Sequence, residues 1–261
     1  VEYGGAGNYS YYGMITQMYC NPSCYYYDAQ ITIDHSTIQN SSVSGIYLAS
    51  GTDITGGLTI RDSSVQNNGS YGIWVQSGFP AVIQRNVIGQ NGNTGFYFNS
   101  SAALTFTDNV LAGNTGYGAD IQLSGQDISF SGNSGSNNRY NAIRMTGTYS
   151  NLSLAPQGSL VYYFQGTVPA EKTLTLQPGT IMKMAGTLRV AGTLTSVGTA
   201  ANPVYITSWK NDSVGGDSNA DGTATVPAGG DWYAIHIQNG TVNLDYTTVE
   251  YGGAGNYSYY G

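Results

Sequence analysis

The chain has 261 residues, of which 9% are Asp, Glu, Lys or Arg, and a net charge of −7 at pH 7. Globular cytosolic domains carry about a quarter charged residues, so this surface is polar but largely uncharged, built from Asn, Ser, Thr, Gly and Tyr, as in an extracellular β-rich protein. The acidic balance argues against a nucleic-acid partner and for cations, and no apolar run approaches the ~18 residues of a membrane span.

The chain opens mid-pattern at Val1, as a fragment or processed product would. Residues 1–13 read VEYGGAGNYSYYG, and residues 249–261 read the same. An identity of this length is the mark of near-identical tandem units, with one period in 1–248 and the start of the next in 249–261. Val1 and Tyr3, and their counterparts Val249 and Tyr251, then form the joint between units.

A Tyr-rich stretch follows, with Tyr9, Tyr11, Tyr12, Tyr19, Tyr25, Tyr26 and Tyr27 around Cys20-Asn21-Pro22-Ser23-Cys24. In an oxidising compartment so short a loop reads as a local disulfide between Cys20 and Cys24. No further Cys or His stands nearby in sequence to complete a metal site. The tyrosine density exceeds what a loop needs and suggests an interface between fibres or subunits, with glycan contact as the alternative.

From residue 31 a shorter period appears. Ile31-Thr-Ile33 is followed by Leu58-Thr-Ile60, Ala81-Val-Ile83, Leu104-Thr-Phe106 and Ile128-Ser-Phe130. Gly45-Ile-Tyr-Leu48 is followed by Gly72-Ile-Trp-Val75, Gly95-Phe-Tyr-Phe98 and, read with one extra residue, Gly118-Ala-Asp-Ile121. The steps are mostly 23, with Gly/Asn/Ser turns between short alternating strands. A unit this short cannot bury its apolar face by itself, but stacked units can. Three interior columns are expected: Ile33, Ile60, Ile83, Phe106 and Phe130; Ile38, Val65, Ile88 and Leu111; Leu48, Val75, Phe98 and Leu123. Three columns per turn describe an all-β parallel β-helix. Asn68, Asn91, Asn114 and Asn137, and likewise Asn86, Asn109 and Asn133, are spaced as amide ladders at its corners.

On the outer side, Tyr47, Trp74 and Tyr97 fall in one file. Aromatic rings at strand spacing either stack to stabilise the sheet or offer a platform for sugar rings or another filament. Asp34 faces Arg61, and Asp62, Arg85 and Asp108 share a column. An alternating charge ladder explains these better than catalytic chemistry, and His35 and His236 read as structural.

Further on, Asp217-Ser218-Asn219-Ala220-Asp221-Gly222-Thr223 is a D-x-N-x-D-G loop. Alternating side-chain oxygens, a Gly for the turn and a following carbonyl at Thr223 suit Ca²⁺ in a structural role. The Glu that would close a complete twelve-residue loop is replaced by Ala228, leaving Asp212 or Asp231 to supply a further oxygen.

Residues 173–253 carry Pro178-Gly179-Thr180, Gly192-Thr193-Leu194, Pro203, Gly215-Gly216-Asp217 and Gly230-Asp231-Trp232. This pattern resembles the β-helical segment repeated in many secreted or surface-anchored bacterial proteins, and residues 31–145 resemble the repeats of the pectate-lyase-like superfold. The resemblance implies a right-handed helix. It is specific for fold and uninformative about function, because the superfold hosts lyases, hydrolases, tailspikes, adhesins and shafts. Val242-x-Leu244 and Val249 align with Ile31-x-Ile33 and Ile38, so the last coil leads into the next unit. The expected molecule is one continuous β-helix over 1–261, of about nine to eleven coils, with a Tyr/Cys excursion and a D-x-N-x-D-G excursion. Its expected role is that of a non-catalytic repeat in an extracellular fibre, stalk or adhesin shaft that partners itself head to tail. A polysaccharide lyase or hydrolase, or a glycan-binding surface module, is the alternative.

Overall fold

The computed structural model describes residues 13–16, 18–20, 24–26, 29–48, 56–76 and 78–255, with backbone only for 18–20 and 24–26. Val1, Tyr3, Tyr11, Tyr12 and Tyr27 lie outside the described residues, as do the side chains of Cys20, Cys24, Tyr25 and Tyr26. Among the described residues every regular element is a strand, and no helix is long and apolar enough to cross a membrane. The chain divides into two compact units, Val1–Arg144 with Gln157–Leu160, and Met145–Pro156 with Val161–Gly261.

The first unit is built from three parallel sheets. One contains Gln30–Asp34, Gly57–Arg61, Ala81–Gln84, Leu104–Thr107 and Ile128–Ser131. The second contains Thr37–Gln39, Ser64–Gln66, Val87–Gly89, Val110–Ala112 and Ser134–Ser136. The third runs through Gly13–Thr16, Ser44–Leu48, Ile73–Gln76, Phe96–Asn99 and Tyr117–Ser124. Registers put like residues on like: Ile33, Ile60, Ile83, Phe106 and Phe130 form one interior file, and Ile38, Val65, Ile88 and Leu111 another. Phe96, Phe106 and Phe130 stack inside, with ring centroids 4.7 and 5.4 Å apart. The third file needs a correction. Phe98 pairs with Ile121 rather than Leu123, because the 23-residue step continues unbroken through Gly118 and no extra residue intervenes.

Two tight corners repeat along the coils of the first unit. Each places one residue in the left-handed region, and in all but the His35 corner the next side chain turns inward. His35, Asp62, Arg85, Asp108 and Gly132 hold the first left-handed position, and Asn40, Asn67, Gln90, Gly113 and Asn137 the second. The inward residues form the ladders. At the second corner, the Asn91 side-chain amide donates to Asn114 Oδ1 (3.0 Å) and to the Val65 carbonyl (3.2 Å), while its own Oδ1 accepts from the Asn68 backbone and side chain. The ladder continues from Asn114 to Asn138. This replaces Asn137, which occupies the left-handed corner instead, since the step here lengthens to 24. At the first corner Asn86, Asn109 and Asn133 repeat the pattern, and Gln157 closes it by accepting from both Asn133 nitrogens at 2.8 and 3.1 Å.

The second unit uses two sheets. Leu152–Leu154, Thr173–Leu176, Thr193–Val197 and Thr241–Asp245 form one. Val161–Val168, Ile181–Val190, Val204–Ser208 and Thr247–Val249 follow one another in the other, where Ile235–Ile237 pairs with the latter half of Ile181–Val190. Leu174, Leu176, Met182, Met184, Leu188, Val190, Leu194 and Ile206 are fully buried here. The last strands are covered on one side only, leaving Ile237, Leu244 and Val249 52%, 44% and 42% exposed.

The solenoid makes about 7 turns, fewer than the nine to eleven expected. Residues 209–234 leave the coil between Val204–Ser208 and Ile235–Ile237, so chain length is spent outside it. A second departure is the antiparallel pair Met18–Cys20 and Cys24–Tyr26, which stands apart from the parallel sheets.

Replacing Asn91 by Ala strands the Asn68 amide and the Val65 carbonyl in a dry corner. The variant is expected to lose roughly 2–4 kcal/mol of stability, since each orphaned buried group costs about 1–3 kcal/mol. Chemical denaturation checks this, with the outward Ser129→Ala as a control that changes by less than about 0.5 kcal/mol.

Candidate functional site

Residues 209–234 carry the densest chemistry of the second unit. The turn after Val204–Ser208 brings Asp212 to the loop Asp217–Thr223, and the carboxylates of Asp212, Asp217 and Asp221 converge within 4.8 Å of one another. Asp217 accepts from the backbone amides of Asp221 (3.2 Å) and Gly222 (2.9 Å), which curls the loop around it. Asp221 Oδ2 accepts from the Asn219 amide at 2.9 Å and from the Thr225 hydroxyl. The remaining oxygens, Asp212 Oδ1, Asn219 Oδ1 and Asp221 Oδ1, are buried without a hydrogen-bond partner, as is Ser218 Oγ. Ser218 is wholly inaccessible.

Such a set of oxygens without donors fits a hard divalent cation, which would satisfy them and cancel the repulsion among three carboxylates. Of the two further ligands considered from sequence, Asp212 joins the cluster and Asp231 does not. Asp231 is held by Lys210 Nζ (2.7 Å), Ser208 Oγ (2.7 Å) and the Ala228 amide (3.0 Å). Burial pushes Asp231 up, and these hydrogen bonds outweigh it and hold the carboxyl below its usual range. Thr223 is exposed.

Beneath the loop sits a residue that the sequence pattern does not single out. Lys183 is fully buried on Ile181–Val190 and donates to the Gly216 carbonyl at 2.8 Å. Burial pulls its ammonium down to about 8, against the pull of Asp212 and Asp217 in the other direction. Asp212 is raised by burial and by Asp217 and Asp221, with Lys183 opposing.

The first unit has a different face. Trp74 lies between Tyr47 and Tyr97, with ring centroids at 5.4 and 4.3 Å, so the expected aromatic file forms. Tyr71 joins it edge-on, 4.5 Å from Trp74 and 5.7 Å from Tyr97. The four rings are half-buried. The next register position after Tyr97 is Asp120, whose Oδ2 accepts from Arg144 at 2.8 Å while Oδ1 is buried without a partner. Burial raises the Asp120 carboxyl, and Arg144 opposes that rise. The spacing of 23 from Tyr97 makes Asp120 legible as the file's next member. Its pairing with Arg144 is not, because the latter lies 24 residues on.

Of the expected charge pairs, Asp62 with Arg85 forms an ion pair across coils. Arg85 grips Asp62 with Nε at 2.8 Å and Nη2 at 2.7 Å, and this hydrogen bond lowers the Asp62 carboxyl. Arg61 turns to Gln84 at 3.1 Å, and Asp34 meets His35 at 2.9 Å. Cys20 and Cys24 stand directly opposite in the antiparallel register. Within the second copy of the repeated segment, Val249 pairs with Ile206 and Tyr251 takes a left-handed conformation beside the Gly230–Trp232 turn.

A family model described as the right-handed beta helix region matches residues 15–156, more than half of the chain, and the protein belongs to that family. No curated protein matches the chain, and no solved structure does.

Lys183 fixes a pH dependence. With its folded pKa near 8 and the unfolded value at 10.5, the unfolded chain holds more protons between those limits, so stability climbs as pH rises through that window. Lys183→Met is expected to abolish the climb and to be more stable at pH 7 by on the order of 1–3 kcal/mol, as read from denaturation midpoints between pH 7 and 10.5.

Proposed function

We propose that the chain is a structural repeat unit of an extracellular fibre, stalk or adhesin shaft of the secreted, tandem-repeat bacterial kind, and that it is not an enzyme. The observation that carries this reading is the identity of residues 1–13 and 249–261 at the end of a solenoid whose last strands leave Leu244 and Val249 partly bare. A further coil from another unit would cover those side chains and pair the open edge of Thr247–Val249. Head-to-tail stacking extends the same hydrogen-bonded sheets and interior files from unit to unit. The ladder pairing of Asp62 and Arg85 supports a structural use of the surface charges.

Two reinforcements belong to this role. Ca²⁺ at Asp212, Asp217, Asn219 and Asp221, with the Thr223 carbonyl as a further ligand, would rigidify the 209–234 excursion. A disulfide between Cys20 and Cys24 would close the hairpin, since directly opposed antiparallel residues hold their Cα atoms about 4.5–5.5 Å apart, within bridging range. Addition of Ca²⁺ is expected to raise the melting temperature reversibly on EDTA treatment, by about 2.7 kcal/mol of stabilisation at a hundredfold excess over Kd. Asp221→Ala is expected to remove the response.

A glycan-binding surface is the second reading. It is favoured by the half-buried Tyr47, Tyr71, Trp74 and Tyr97 beside Asp120 and Arg144, which suit stacking on sugar rings with polar contacts alongside. Electron micrographs of native material test the first reading: filaments with a regular axial repeat are expected, and isolated globules would overturn it. Glycan-array retention that disappears in Trp74→Ala would move the assignment to the second reading.

A further inference from the structure

Among the described residues Lys183 is the only basic side chain with no access to solvent. It stands between Met182 and Met184, which are buried in the core, so strand alternation sends Lys183 to the outer face of the sheet. Tyr163 and Thr207 are its register neighbours there. The 209–234 excursion crosses that face. Gly215 and Gly216 take φ values of +74° and +73°, and a Cβ at Gly215 would collide with the Val161 side chain. Glycine at both positions lets the loop settle on the sheet and aim the Gly216 carbonyl at Lys183 Nζ, 2.8 Å away.

An ammonium has three donors, and the Gly216 carbonyl is its one hydrogen-bond acceptor among the described residues. A buried charge so sparsely bonded is destabilising on its own. A third methionine would pack in its place without that penalty. The charge of the loop offsets it. Asp212, Asp217 and Asp221 converge beside Gly216, and Asp212 and Asp217 both favour the ammonium. The charges that act on Asp212 are in turn those of Asp217, Lys183 and Asp221. Other ionised groups nearby are engaged elsewhere. Lys210 is paired with Asp231 at 2.7 Å, and Glu250 Oε1 accepts from the Thr207 hydroxyl (2.8 Å) and the Asn211 amide (2.7 Å). Three carboxylates and one ammonium leave a net charge of −2, which one divalent ion neutralises.

We infer that Lys183 sets the valence of the cation that the loop accepts, trimming three carboxylates to the charge of one divalent ion and disfavouring trivalent ions. This rests on the Ca²⁺ reading of the loop and states which ions that site takes. The orphaned oxygens of Asp212, Asn219 and Asp221 would hold the ion, and Lys183 repels it from beneath. That repulsion grows in proportion to the charge of the ion. Removing the ammonium therefore tightens binding of every cation. The logarithm of the gain is half as large again for a trivalent ion as for a divalent ion in the same position. A residue that only propped up the loop would alter both affinities by a common factor.

Calorimetric titration of the full-length chain with Ca²⁺ and, separately, with Tb³⁺ tests this, since Tb³⁺ resembles Ca²⁺ in size and in its preference for oxygen. At about pH 6.5 the Lys183 ammonium is charged, because its pKa is about 8. Lys183→Met is expected to bind Ca²⁺ roughly tenfold and Tb³⁺ roughly thirtyfold more tightly than the wild-type chain, a rise of about threefold in the preference for Tb³⁺. Lys183→Gln, which removes the charge but keeps a polar end, is expected to shift the preference in the same way. Lys172→Met removes an equal charge from an exposed position and is expected to change neither affinity by more than about twofold. Circular dichroism confirms that each variant retains its β-structure. An unchanged preference in both Lys183 variants, or an equal change in Lys172→Met, would overturn the inference and leave the Ca²⁺ site standing. Absence of binding by the wild-type chain and all variants would overturn the Ca²⁺ reading and this inference with it.

Discussion

No coil of this protein satisfies its own polar or apolar groups, and the rest of the structure follows from that dependence. A coil of some 23 residues offers its neighbour three short edges and a few inward side chains. Strand amides find their carbonyls one coil away. At the corners, where the strand pattern breaks and backbone groups would be left bare, an inward Asn side chain from the neighbouring coil accepts the amide and its own amide caps a carbonyl. The ladder thus extends sheet-like pairing through turns that the sheets cannot cover. Aliphatic and aromatic side chains fill the space between, in files that repeat because the coils repeat.

Much of this was legible in the sequence, because a constraint imposed once per coil is written once per coil. The 23-residue step placed the Ile33 and Ile38 files and the Tyr47–Trp74–Tyr97 file without error. The two misplacements are both local. Asn137 and Asn138 are adjacent asparagines where the step lengthens by one, and spacing cannot tell which of two neighbours takes the corner and which turns inward. Leu123 and Ile121 point to the same side of one strand, so alternation alone allows either. The D-x-N-x-D-G loop announced its own convergence, and Asp212 was anticipated as a further oxygen. The rest of that region was not legible for a physical reason. Lys183 under Gly216, and Glu250 on Thr207 and Asn211, join residues 33 to 43 apart in the chain through an excursion that occurs once and therefore leaves no period to read.

The two units manage charge differently. In the first, Arg85 spans to Asp62 on an exposed column where salt and solvent moderate the effect, and Arg144 meets the buried Asp120. In the second, three carboxylates of the 209–234 excursion converge near the buried Lys183, where burial and the other two carboxylates raise Asp212 and Lys183 opposes them.

The left-handed corner has a consequence of its own. His35, Asp62, Arg85, Asp108 and Gly132 share one backbone conformation on successive coils and have almost nothing chemical in common. The corner restricts the backbone and ignores what the side chain carries, at a cost of about 1–2 kcal/mol for a residue other than glycine. It therefore behaves as a ruled margin beside the packed core, in which the protein can write basic, acidic or aromatic characters at ~4.8 Å intervals while the interior text stays fixed. Divergence between members of such a family is then expected to collect in that margin, where a new surface can be composed without rewriting the fold.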